Sequence, residues 1–191
     1  MQSVYRVGSF LSANKINNDL QWLSIPSIVD ARNLMLTAWY DATPFSHLLF
    51  VDADMGFPPE LVADMLKFNP MLCGALYAKR QLPITMVGRL DGEDDVDGFV
   101  PAHHIGAGVM LIARKMITEM IERMPDLIAP IGSLQSSIPV KLNRLITAFD
   151  PIGRQFEDVS FCQRWRECGG KIWANVKHPI GHIGPHNFRL A

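Results

Sequence analysis

Apolar and polar positions along this chain follow two periods, one of strands and one of helices. Leu48, Leu49, Phe50 and Val51 form an unbroken apolar run that stops at Asp52, Ala53 and Asp54. Such a run predicts a strand buried on both faces, ending in two carboxylates. Gly56 and Pro58 then turn the chain, and residues 59–68 carry the spacing of a helix. Upstream, Val4, Val7 and Leu11 fall on one helical face and predict a helix over 1–15. Residues 19–25, with Leu20, Trp22 and Leu23, read as a short strand. Pro26 and Ser27 open a helix to about Asp41, with Ile28, Leu34, Met35, Ala38 and Trp39 as core candidates.

Downstream, 71–76 reads as a second buried strand, and 84–90 with 99–102 as a hairpin around the acidic turn 91–97. That turn lacks the glycine placement of a calcium-binding EF-hand loop. Residues 105–113 read as a strand with Gly106 and Gly108 near its start, and 114–124 as a helix. The stretch 125–153 is irregular, with a short helix expected near 141–147. Glu157 and Asp158 open a helix to Cys168, Gly169 and Gly170 close it, and 171–176 forms a last strand. Strands alternating with helices predict a single α/β domain over 1–191, a three-layer sandwich with a mostly parallel central sheet. In such sheets ligands collect at the carboxyl ends of strands, where Asp52 and Asp54 stand.

Composition narrows the functional classes. With 191 residues, 48% of them hydrophobic, the chain can bury a sizeable core. A net charge of −1 argues against a broad nucleic-acid surface. Cys73, Cys162 and Cys168 are odd in number and lack CxxC spacing, which fits idle thiols in a reducing compartment and excludes a cysteine-built zinc site. No apolar run is long enough to span a membrane, and no signal-peptide pattern opens the sequence, so a cytoplasmic location is expected.

The paired aspartates carry the chemistry. Two ionised groups at the edge of a core repel unless a positive charge sits between them, and hard oxygen ligands one residue apart suit magnesium or manganese. Several phosphate-handling classes fail on their motifs. A P-loop needs GxxxxGK[ST], but Lys171 after Gly170 is followed by Ile172. An aspartyl-nucleophile phosphatase would carry threonine or valine where Gly56 stands. A dinucleotide fold needs GxGxxG opening a helix, whereas Gly106-Ala107-Gly108 runs into Val109, Met110 and Leu111.

Five segments together resemble GT-A-fold glycosyltransferases of the family-2 kind, which bind a nucleotide sugar through a metal held by a DxD motif. They are Ala31-Arg32-Asn33, Leu49-Phe50-Val51-Asp52-Ala53-Asp54, Gly106-Ala107-Gly108-Val109-Met110-Leu111, Glu157-Asp158-Val159-Ser160-Phe161-Cys162 and His182-Ile183-Gly184. Compact enzymes of this kind occur in large DNA viruses, including those of algae, and in phages; the location would then be a host cytoplasm. The resemblance implies Mn2+ or Mg2+ as cofactor, a UDP-sugar as donor and a glycan or glycoprotein as acceptor. It implies Asp54 as a metal ligand, Asp52 as a ligand of the metal or the ribose, and Ala53 between them in the donor site. Arg32, beside Asn33, would reach the base or diphosphate, or else remain a helix-face charge. Gly106 and Gly108 would let the backbone approach the donor sugar or the acceptor. His182 would be a third metal ligand, with His186 behind it, and Asp158 the base of an inverting reaction, with Glu157 as the alternative. Lys79 and Arg80 read as an ordinary solvated pair, or else as lining the same face.

Such domains begin with a strand, whereas this chain opens in a helix, so residues preceding Met1 are expected to fill a central gap in the sheet. Two other classes stay open. A nucleotide-sugar pyrophosphorylase or related nucleotidyltransferase would release pyrophosphate, and a carbohydrate-binding module would bind sugar without nucleotide or metal.

Overall fold

The computed structural model describes residues 2–184 and 187–190. Its helices are α1 (Gln2–Ala13), α2 (Ile28–Ala42), α3 (Glu60–Phe68), α4 (Arg114–Arg123) and α5 (Glu157–Glu167). Its strands are β1 (His47–Val51), β2 (Met55–Gly56), β3 (Leu72–Ala75), β4 (Tyr77–Ala78), β5 (Met86–Val87), β6 (Arg89–Leu90) and β7 (Phe99–His104). They continue as β8 (Val109–Ala113), β9 (Ile128–Ala129), β10 (Leu145–Ile146), β11 (Ile172–Asn175), β12 (Gly181–Ile183) and β13 (Asn187–Phe188). The chain forms two compact units. One contains the residues up to Leu20, Leu49–Ile112 and the residues from Lys171 on; the other contains Gln21–Leu48 and Ala113–Gly170.

Nearly all of the main sheet belongs to the first unit, in the order β1-β8-β3-β11-β7-β6. All four residues of β3 are buried, as its continuous apolar run requires. The core of this unit gathers Val7 and Leu11 of α1, Leu61, Val62 and Met65 of α3, and Cys73, Phe99 and Leu111 from the strands. Phe68 stacks on Phe99 at 4.2 Å, and Trp173 meets Phe68 edge-on at 5.1 Å. Asn69 ends α3 in the left-handed conformation, and its N–H bonds the Met65 carbonyl.

The sheet corrects the expectation of mostly parallel strands. β3 and β11 run parallel, but β3 with β8, β11 with β7 and β6 with β7 run antiparallel. Parallel neighbours need a long crossover, usually helical. Between β3 and β8 the chain holds strands and turns only, so it returns in the opposite direction. The architecture is α/β with a mixed six-stranded sheet. Its strands are bonded in an unbroken row, so the gap expected in the middle of the sheet is not there.

In the second unit, Ser27 caps α2, its Oγ accepting from the Asp30 N–H at 3.2 Å. The far end of α2 is held by Arg114. This guanidinium donates to the carbonyls of Trp39, Tyr40, Thr43 and Phe45 and lies 4.6 Å over the Trp39 ring. A cation is favoured at a helix C-terminus, and here it also satisfies carbonyls that the helix leaves open. Leu34 packs with Leu142 and Leu145, and Phe149 stacks on Phe161 at 4.2 Å.

Several local readings change. Residues 19–25 form no strand, and Leu20 and Trp22 are exposed. Ile28, at the first position of α2, is also exposed rather than in the core. The helix expected near 141–147 is replaced by β10, which pairs antiparallel with β9. The hairpin around the acidic turn is shorter than expected, β6 against β7, while β5 turns back on β4. Strand β8 starts at Val109, and Gly106-Ala107-Gly108 forms the turn before it.

Candidate functional site

In the first unit, strand β1 delivers the chain to a tight turn over Asp52-Ala53-Asp54-Met55, closed by the Met55 N–H on the Asp52 carbonyl at 3.1 Å. The Asp52 N–H donates to the Gly108 carbonyl at 2.9 Å, which ties the turn to the glycine loop. Ala53 is exposed at its tip, and both aspartates are half-buried. The turn leads into β2, and β12 pairs antiparallel with β2, placing His182 opposite Met55. The Ile183 N–H completes the join by donating to the Asp54 carbonyl at 2.8 Å.

This pairing sets His182 beside Asp54. Its Nδ1 lies 2.8 Å from the Ala78 carbonyl oxygen. A carbonyl only accepts, so Nδ1 carries a hydrogen and donates it. The other ring nitrogen, Nε2, stands 3.3 Å from Asp54 Oδ2. An imidazole whose Nδ1 is tied to a backbone carbonyl has its orientation and tautomer fixed, the usual state of a histidine metal ligand. Arg80 Nη1 approaches the same carboxylate oxygen at 3.0 Å. Arg80 is therefore one partner in a charge cluster with Asp54, not a merely solvated cation.

Tyr77 buttresses the histidine. Its ring meets the imidazole edge to face, and its hydroxyl accepts from the Gly108 N–H at 3.2 Å. The glycines make room for it. A Cβ on Gly108 would lie 2.8 Å from the Tyr77 hydroxyl, and one on Gly106 would collide with that hydroxyl and with Val87. The space above both glycines is taken by this protein's own tyrosine.

Asp54 and His182 form a carboxylate–imidazole pair that suits a divalent first-row cation such as manganese. Among the described residues no three His, Cys, Asp or Glu side chains gather as a metal-holding group, so Asp52 completes no triad with this pair. His178 belongs elsewhere: its Nε2 bonds Asp64 Oδ2 at 2.8 Å, together with Lys177 Nζ at 2.7 Å. His186 lies outside the described residues.

The remaining expected residues sit in the second unit. Arg32 is buried in α2 and pairs with Glu157 Oε1 at 2.5 Å. Asn33, fully buried, accepts from the Phe149 N–H at 2.9 Å and donates to Asp150 Oδ1 at 2.7 Å. Asp158 Oδ1 accepts from the Val159 N–H at 2.7 Å. Both acids open α5, and Glu157 is held in a buried ion pair.

No protein-family model matches the chain, and no curated protein does. In fold it is similar to a solved structure, A197 from STIV. The TM-score is 0.56 at 17% identity, over 97% of this chain and 82% of that one. At that identity the likeness is one of backbone arrangement, and function has to be argued from the site.

Sequence reasoning had named Asp54 and His182 but missed Tyr77 and the Ala78 carbonyl. A glycine pair spaced to admit one large ring was the available signal for Tyr77. The carbonyl carries no sequence signal at all.

Proposed function

We propose that this protein is a metal-dependent glycosyltransferase with a GT-A-type domain. It moves a sugar from a nucleotide diphosphate sugar, most simply a UDP-sugar, to a carbohydrate or glycoprotein acceptor with inversion. One observation carries the reading: Asp54 at the end of an apolar strand faces an imidazole whose Nδ1 is tied to a carbonyl, leaving Nε2 directed at the carboxylate. Two such groups aimed at each other are donors of the kind a manganese site would use.

Asp54 and His182 would hold the cation, with Asp52 as the ribose contact. When bound, a divalent cation offsets the negative charge that develops on a departing diphosphate. Asp158 is assigned the base that takes the acceptor hydroxyl's proton. Glu157, which pairs with Arg32, is the alternative.

The test is a calorimetric panel of UDP- and GDP-sugars with and without manganese. A UDP-sugar should bind with manganese and lose that binding in Asp54→Ala, and incubation with an acceptor should release free UDP. Pyrophosphate release would instead make the protein a nucleotidyltransferase. Sugar binding that needs neither nucleotide nor metal, and survives Asp54→Ala, would make it a binding module.

A further inference from the structure

The hairpin between β4 and β5 projects residues 79–85, all exposed, immediately after the Ala78 carbonyl that anchors His182. The Lys79 N–H donates to the Thr85 carbonyl at 2.7 Å, and Gln81 Nε2 to Thr85 Oγ1 at 2.9 Å, so the base of the hairpin is fixed. From it Arg80 reaches Asp54 Oδ2 at 3.0 Å with about half of its own side chain exposed. That oxygen is the one His182 Nε2 faces.

We propose that Arg80 is an internal counter-ion that competes with the divalent cation for Asp54 and, once displaced, clamps the diphosphate of the nucleotide. This rests on the metal reading above. A guanidinium and a divalent cation cannot both sit against one carboxylate oxygen without strong repulsion, so each weakens the other there. The half-exposed arginine loses little by leaving, because exposed ion pairs are weak. A diphosphate offers it a better partner, since guanidinium binds phosphate oxygens through two parallel hydrogen bonds. The nucleotide thus removes the cation's competitor. Cation and nucleotide must then each raise the other's affinity by the same factor.

Manganese binding, read from the electron paramagnetic resonance of the free ion, tests this without any turnover. Without nucleotide, Arg80→Ala should bind manganese about three- to tenfold more tightly than the wild-type protein, because a nearby positive charge is gone. Arg80→Lys, which keeps the charge, should stay near wild type. Added UDP should tighten manganese binding in the wild-type protein, and clearly less in Arg80→Ala. Circular dichroism of each variant checks that the exposed hairpin substitution leaves the fold intact. If Asp54→Ala abolishes manganese binding while Arg80→Ala leaves it unchanged or weaker, the competition is wrong and the metal site stands. If neither the wild-type protein nor Arg80→Ala binds manganese, both readings fall.

Discussion

The ring of Tyr77 meets the imidazole of His182 at 5.4 Å between centroids and 88° between planes. Its hydroxyl is meanwhile bonded to the Gly108 N–H. The histidine is therefore held from two sides, by this ring and by the Ala78 carbonyl, and the glycines matter because they leave Tyr77 its place. Gly108→Ala should destabilise the protein by about 1–3 kcal/mol through overpacking, read as a lower urea midpoint. Tyr77→Leu removes the hydroxyl and the ring carbon that the new Cβ would meet at 2.8 and 2.9 Å. The double variant should therefore cost less than the sum of the two single ones. Strict additivity would show that the glycine is not there for the tyrosine.

His182→Ala tests the donor pair itself. It should lower manganese affinity at least about tenfold, the scale seen when even a supporting group of a metal site is removed. His178→Ala serves as the control. That imidazole bonds Asp64, so manganese affinity should stay as it is. Equal losses in the two variants would point to general damage rather than to a ligand.

The chemistry of the first carboxylate turn was legible in the sequence because it is local. An apolar run that stops at Asp52 states where a buried strand ends, and the helices α2, α3 and α5 announce themselves through spacing and caps. What brings His182 to Asp54 is the antiparallel pairing of β12 with β2, between segments far apart in the chain, and no short-range pattern reports it. Strand direction was misread for a related reason. Alternating strands and helices suggest parallel neighbours, but the helix-free return from β3 to β8 reverses the chain. Arg32, with Asn33 beside it, reads in the sequence as a contact to the base or diphosphate or as a helix-face charge. Their burial depends on Glu157, Phe149 and Asp150, which only the folded chain places against α2.

Acid should weaken the first unit through Asp64. Its carboxylate is held below its ordinary pKa, first by the Lys177 hydrogen bond and then by that of His178. A carboxylate with a depressed folded pKa contributes stability that is fully present above the unfolded value, about 3.9. That contribution is lost as pH falls through the folded value. The stability difference between the wild-type protein and Asp64→Asn should therefore shrink towards zero as pH falls below about 3.9. Urea titrations across that range measure it. A difference that grows towards low pH would mean that Asp64 is not stabilised by these cations.

Neighbouring acids at the start of α5 should separate by kind of defect. Glu157 pairs with a buried guanidinium, the side chains keeping 15% and 7% of their exposure. Breaking a buried ion pair is destabilising, so Glu157→Gln should mainly lower the unfolding midpoint. Asp158 lies one residue on, and its Oδ1 accepts the Val159 N–H. If Asp158 takes the acceptor's proton, Asp158→Asn should lower turnover about a hundred- to ten-thousand-fold. Nucleotide-sugar affinity, measured by calorimetry, should hold, because the base acts on the acceptor and not on the donor. Near-normal turnover in Asp158→Asn, or a product that keeps the donor's anomeric configuration, would remove Asp158 from this role. A turnover loss in Glu157→Gln at unchanged stability would move the role to its neighbour.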